Sequence, residues 1–258
     1  MTETAWNRLP AEALRALAAQ DAIVLLPVAS TEQHGPHLPT GVDDFLCSEV
    51  CRRTAAQLAP DCPVVVAPTV WCGLADHHVA FGGTFTLSLA TYYAVLRDLC
   101  RSIQKAGFKR IVIVNGHGGN IQALGTFVGE LTRELDAPIA ATTYFMEGHS
   151  AMAEILEDQQ GVMHACEAET SMMMAAHPQL VNADRLAEAH GPSFNILGSL
   201  VPALKRFHSF AELTPSGVAG DARTASADKG EKLLTACVSA LAARLRAGEP
   251  WAAPQAAT

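Results

Sequence analysis

The sequence predicts an α/β fold in which a parallel sheet is covered by helices on both faces. Three observations predict it. Short, uninterrupted apolar runs recur along the chain, as strands buried on both sides require. Longer segments between them carry apolar residues at helical spacing, the mark of helices with one buried face. The two kinds alternate, and alternation is the pattern of strand–helix–strand units paired in parallel.

Residues 10–20, PAEALRALAAQ, read as a short helix with Pro10 near its first turn, where a missing N–H costs nothing. Residues 22–29, AIVLLPVA, read as a buried strand. A helix is expected over 44–60, a second strand over 62–70 (CPVVVAPTV), and a long amphipathic helix over 89–108 that stops at Gly107. Residues 110–115, RIVIVN, read as the third strand, 120–135 as a helix and 138–145, PIAATTYF, as the fourth strand. Helices are also expected over 166–177 and 226–248. Residues 185–225 carry Gly, Pro and Ser without periodicity, so loops and short helices over the sheet or at a subunit contact are expected. The tail, PWAAPQAAT, is expected to be loosely held. There is no internal repeat, and residues 1–258 are read as one domain.

Composition narrows the function classes. The net charge of -8, without a basic cluster, argues against nucleic acid or an anionic membrane surface as partner. No apolar segment approaches the ~18 residues of a membrane span, and the N-terminus lacks a basic stretch followed by an apolar core. The seven cysteines are scattered, with no CxxC pair, which suits free thiols in a reducing cytoplasm.

Ligands of open parallel sheets bind beyond the carboxyl ends of the strands. Three polar clusters fall there: Glu32, His34 and Asp43 after the first strand; Trp71, Asp76, His77 and His78 after the second; and NGHGGN, with His117, after the third. Imidazole and carboxylate without thiolate suit Zn, Mn or Fe. Glu-x-His in extended chain points both side chains the same way, and Asp43 returns after a loop shaped by Pro36, Pro39 and Gly41. Two metals sharing a carboxylate would account for so many donors. Each residue also has a plainer reading. Asp43 or Asp44 can serve as a helix N-cap, and NGHGGN can be only a Gly-rich turn.

Three segments, STEQHGPHLPTGVD (30–43), NGHGGN (115–120) and HACEAETS (164–171), resemble the signatures of the creatininase (creatinine amidohydrolase) family. Lesser matches are GLADHHVAFGGTFTLS (73–88) and GVAGDARTASADKGEKLL (217–234), so the resemblance runs from about Val24 to Leu234. It implies a three-layer α/β/α sandwich around a mostly parallel sheet. It also implies two divalent metal ions, Zn foremost and Mn or Fe as alternatives. By resemblance, Glu32, Asp43 and His117 match ligands of one metal. His34 and Asp43 match the second, with Asp43 bridging and Glu169 completing the set. His164 matches a catalytic histidine. His37 can orient a ligand or serve the structure alone, His78 can sit near the substrate with Trp71 as part of a pocket wall, and Asp44 is read as a cap.

The resemblance implies metal-assisted hydrolysis of a C–N bond in a small linear or cyclic amide, by a cytoplasmic homo-oligomer, with hexamers built from dimers as the family pattern. A peptidase, or a non-catalytic metal-dependent binding protein, are the alternatives. Two departures speak against creatinine as substrate. Creatinine-hydrolysing members carry Glu where this chain has Gly119. They also place a Trp shortly before the catalytic His, whereas Gln160 stands four residues ahead of His164.

Overall fold

The computed structural model describes residues 2–193 and 206–251. Among them, β1 (Ile23–Val28), β2 (Val64–Val66), β3 (Arg110–Asn115) and β4 (Ile139–Thr143) form one sheet in the order β2-β1-β3-β4. Every pairing is parallel, with Leu25 opposite both Val66 and Val112, and Ile113 opposite Ala141. All six residues of β1 are buried, as a central parallel strand requires.

Alternation along the strands divides the core in two. Ile23, Leu25, Val112 and Val114 face α2 (Val42–Leu58), α7 (Glu167–Ala176) and the C-terminal helix α9 (Ala227–Arg246). Val24, Leu26, Val28, Ile111 and Ile113 face α3 (Leu89–Lys105) and α4 (Ile121–Leu135), with α1 (Ala11–Ala19) at the margin. The result is the three-layer α/β/α sandwich expected from the resemblance. Short helices α5 (Tyr144–Glu147), α6 (His149–Ile155) and α8 (Phe210–Leu213) fill the connections. Ser88 and Ser226 cap α3 and α9 by accepting from Thr91 N–H and Lys229 N–H.

Some expected elements end elsewhere. Only Val64–Val66 of the second run enters the ladder, because Pro68 has no N–H to donate; Val70 rejoins β1 by a single bridge to Val28. The fourth run turns helical at Tyr144, whose ring is buried. The helix expected at 44 begins at Val42, so Asp43 is not in a loop but in the first turn of α2. Asp44 is not an N-cap either: Gly41 holds that place without a side-chain bond, and Asp44 accepts from Ser48 Oγ at 3.1 Å. Of residues 185–225, those at 194–205 lie outside the described residues, as do 252–258 of the tail. The described part of that region includes α8, which sits over the candidate site rather than over the sheet.

The chain leaves β1 toward β2 on one side and crosses to β3 on the other. The strand order therefore reverses between β1 and β3, the place where an open α/β sheet opens a crevice at its carboxyl edge.

Candidate metal centre

Local backbone geometry delivers each predicted residue to that crevice. After β1, Glu32 N–H donates to Thr40 O at 2.9 Å. This closes the Pro-rich loop and carries the first turn of α2 back beside Glu32. After β3, Asn115 holds the loop around His117: its Nδ2 donates to His117 O at 2.7 Å and its Oδ1 accepts from His117 N–H at 3.1 Å. Asn120 Nδ2 donates to Ala29 O at 3.2 Å, tying this loop to the end of β1. His164 is clamped by paired backbone bonds with Ala219. Glu169, in the first turn of α7, accepts from Ala165 N–H at 2.6 Å.

All six predicted residues converge and are buried. Asp43 stands in the middle, its Oδ1 3.2 Å from His34 Nε2 and its Oδ2 2.9 Å from His117 Nδ1. Glu32 Oε2 is 3.2 Å from His117 Nδ1, and Glu169 Oε2 is 4.0 Å from His34 Nε2. Donor atoms of Glu32, Asp43 and His117 lie within 4.8 Å of one another, as do those of His34, Asp43 and Glu169. The two triads share Asp43. Glu32, His34 and His164 form a third such group.

These side chains approach one another without satisfying one another. Glu32 Oε2, His34 Nε2 and Asp43 Oδ2 are buried and have no aligned hydrogen-bond partner, although buried polar groups are otherwise almost always paired. Their outward atoms, by contrast, are held. His34 Nδ1–H donates to the Glu32 carbonyl at 3.1 Å and His117 Nε2–H to the Leu74 carbonyl at 3.1 Å. A far ring nitrogen tied to a carbonyl leaves the near nitrogen's lone pair facing inward, the arrangement typical of metal-ligating histidines. Three carboxylates buried together also need cations. The donor set therefore fits divalent metal.

Protonation follows the same imbalance. Burial opposes charge on His34, but Asp43 with Glu169 and Glu32 raises it to about 9. His117 is likewise raised against burial by Glu32 and Asp43. Burial, opposed by His34, pushes Glu169 up to about 7. Asp43 is lowered despite burial, by His34 and His117. Protons and a divalent cation would therefore compete for His34, His117 and Glu169.

The other sequence candidates separate. His78 reaches the centre, its Nε2 3.3 Å from Glu32 Oε1. His77 stacks on His117 at 5.7 Å between ring centroids. His37 Nε2 lies 2.7 Å from Thr170 Oγ1, next in sequence to Glu169. Asp76 is exposed. Trp71 is not a pocket wall: it is 50% exposed and packs edge-on against Phe85. The cavity beside the centre, about 560 Å³, is walled instead by Phe145, Val162, Phe207, Phe210 and Leu213. Phe210 lies 4.8 Å from the His164 ring. Sequence reasoning missed these residues; the one available signal was RFHSF (206–210), an aromatic-basic cluster in an otherwise unpatterned stretch.

The sequence profile of the creatininase family, described as creatinine amidohydrolase, matches residues 7–245. The chain belongs to the creatininase family. Among curated relatives, it is 34% identical over 230 residues to the mycofactocin precursor peptide peptidase of Mycolicibacterium smegmatis, covering 88% of this chain and 86% of that one. It is 29% identical over 261 residues to the creatinine amidohydrolase of Pseudomonas putida, covering 95% of each. Solved creatininases superpose closely: a manganese form gives a TM-score of 0.81 at 27% identity, and a mutant of Zn–Zn type 0.80 at 27%. Both comparisons cover 96% of this chain and 100% of the other.

Within the creatininase frame, Gly119 is closed to any side chain. A Cβ there would run into His117 Nε2 and the Leu74 carbonyl, and would sit 2.8 Å from His77 Cε1. A Glu at this position is therefore not accommodated by this backbone, and Glu169 is the third carboxylate at hand. Gly119→Ala is expected to destabilise the metal-free protein by about 1–3 kcal/mol through overpacking, as measured by urea unfolding. Unchanged stability would show that the His117 loop gives way freely.

Proposed function

We propose that this chain is a metal-dependent amidohydrolase that cleaves the C–N bond of a small linear or cyclic amide. The observation that carries the reading is the pair of donor triads joined at Asp43, in which the buried Glu32 Oε2, His34 Nε2 and Asp43 Oδ2 have no hydrogen-bond partner. Glu32, Asp43 and His117 would hold one divalent ion, and His34, Asp43 and Glu169 a second. Zn suits the mixed N/O set best, with Mn or Fe as alternatives; relatives of Zn–Zn type and with Mn support this. Bound there, such ions polarise a carbonyl and lower the pKa of water.

The chain's own residues do the rest. Asp43 holds the two triads in register. His164, with Nδ1 3.6 Å from Glu32 Oε1, takes the proton of the attacking water and passes it to the leaving nitrogen. Phe210 and its apolar neighbours keep bulk water off the reacting carbonyl. Gly119 and the absence of a Trp shortly before His164 argue against creatinine.

A peptide substrate is the second reading, favoured by the peptidase relative and by Phe207, 63% exposed at the cavity rim. Zn- or Mn-loaded protein screened against lactams, formamides, creatinine and short peptides separates the two. Turnover of peptides alone would replace the small-amide reading, and turnover of none would remove both. Among the described residues no helix is long and apolar enough to cross a membrane. A cytoplasmic homo-oligomer suits the free thiols and the family pattern, and light scattering tests the assembly.

Metal binding should depend on pH with a definite sign. The raised His34 and Glu169 values mean that protons hold sites the metal must take. Apparent affinity for Zn is expected to rise as pH climbs through about 7 and on to about 9. Calorimetry in buffers of different ionisation enthalpy should show proton release at pH 7. The same shifts stabilise the metal-free fold at low pH and are lost as pH rises through the folded values. Metal-free protein should therefore weaken between pH 7 and 9 more than loaded protein does.

A further inference from the structure

Gln33 lies inside the STEQHG signature, between Glu32 and His34, and is 8% exposed. Its side-chain oxygen accepts from Gly35 N–H at 2.9 Å, which fixes the end of the amide that carries nitrogen. That nitrogen lies 3.0 Å from each of three atoms: the Gly217 carbonyl oxygen, His78 Nδ1 and His164 Nε2. Gly217, at φ +76°, lets its loop come this near; a Cβ there would run into Gln33 Oε1.

An amide nitrogen has two hydrogens to give. His164 Nε2 does not take one, because it lies 2.8 Å from the backbone carbonyl of Gln33, a group that only accepts. His164 therefore carries its proton on Nε2 and donates it to that carbonyl. The two amide hydrogens go to Gly217 O and to His78 Nδ1. With Nδ1 accepting, His78 carries its own proton on Nε2, which lies 3.3 Å from Glu32 Oε1. His164 turns its bare Nδ1 toward the same oxygen, 3.6 Å away. The two rings stack with centroids 4.4 Å apart. At 3.6 Å His164 Nδ1 is beyond hydrogen-bond reach of Glu32 Oε1, so the geometry calls for no second proton there.

We infer that Gln33 is the positioning residue of this site, setting two stacked imidazoles to opposite duties toward one carboxylate. Its side-chain amide makes His78 an N–H donor that holds Glu32 in place. Its backbone carbonyl makes His164 a lone-pair acceptor aimed into the centre. Both rings are Nε2–H tautomers; they differ in which nitrogen faces Glu32. The consequence for turnover rests on the amidohydrolase reading above, but the tautomers do not.

The test is nitrogen NMR of the imidazole rings in Zn-loaded, full-length protein labelled at histidine, with signals assigned from His78→Ala and His164→Ala. Wild-type His78 and His164 should both show a protonated Nε2 and a bare Nδ1. Gln33→Met, which keeps the length but removes the amide, should leave His164 unchanged and release His78 into exchange between tautomers. Gln33→Glu, which offers only acceptors, should move the His78 proton to Nδ1. With an amide that the wild type hydrolyses, Gln33→Met should lower kcat roughly tenfold or more with little change in KM, as loss of an orienting partner does. A merely structural Gln33 would shift the melting temperature and leave the His78 tautomer alone. A proton on Nδ1 of either wild-type ring, or an unaltered His78 in Gln33→Met, would overturn the inference. Fixed Nε2–H rings in a chain that hydrolyses no amide would uphold the positioning while removing the hydrolase reading.

Discussion

Asp43→Asn is expected to leave a folded chain that no longer holds two divalent ions, with hydrolysis reduced more than about a hundredfold. Orienting partners of metal ligands already cost roughly 10–100-fold when removed, and a shared ligand should cost more. The two oxygens of Asp43 face different histidines, Oδ1 toward His34 and Oδ2 toward His117. Asn keeps the size but turns one of those oxygens into a donor and deletes the shared charge. The effect should therefore reach both triads rather than one. Asp43 is also the chief group raising His34, so without it the His34 value should fall, with only Glu169 and Glu32 left to oppose burial. Elemental analysis after dialysis against Zn, alongside the amide assay, checks the outcome. Two ions per chain and wild-type turnover in the variant would remove Asp43 from its central place.

His164→Ala is expected to separate chemistry from metal binding. Both ions should remain, while kcat falls by about 10²–10⁴, the range for a lost general acid–base. KM should change little, because His164 is assigned to the proton and not to the substrate. The geometry makes the test sharp, since His164 also belongs to the Glu32–His34–His164 group of donors. Loss of an ion in His164→Ala would make it a ligand, and full activity would leave it structural. Partial recovery on adding imidazole would favour the proton role, since free base can enter the vacated space beside Phe210.

Much of this was legible in the residues, for identifiable reasons. Arg110–Asn115 emerges as a strand with the bounds its apolar run suggests, because a central parallel strand tolerates little else. Glu32, His34 and His117 could be placed at one edge because parallel strands put all their carboxyl ends together. His164 and Glu169 were reachable only through the resemblance: no spacing rule links residue 164 to residue 32, and a fold must bring them together. Asp43 is recognisable by type but not by place, since the Pro-rich loop before it conceals that the helix starts at Val42.

The pocket wall was not legible. Trp71 looked the part by residue type, yet faces solvent, whereas Phe207 and Phe210 come from a stretch without periodicity. Such walls are made by long-range packing, which local pattern does not encode. Gln33 is hidden for a related reason. An amide earns notice only when its partners are known, and His78, His164 and Gly217 lie 45, 131 and 184 residues away.

The proposed chemistry turns on two ions joined at Asp43. Anomalous scattering at the Zn edge, from crystals of the full chain grown with Zn, tests it most directly. Two peaks are expected on either side of the Asp43 carboxylate, one against Glu32 and His117 and the other against His34 and Glu169. A single peak that Asp43 does not touch, or none within this cluster, would contradict it.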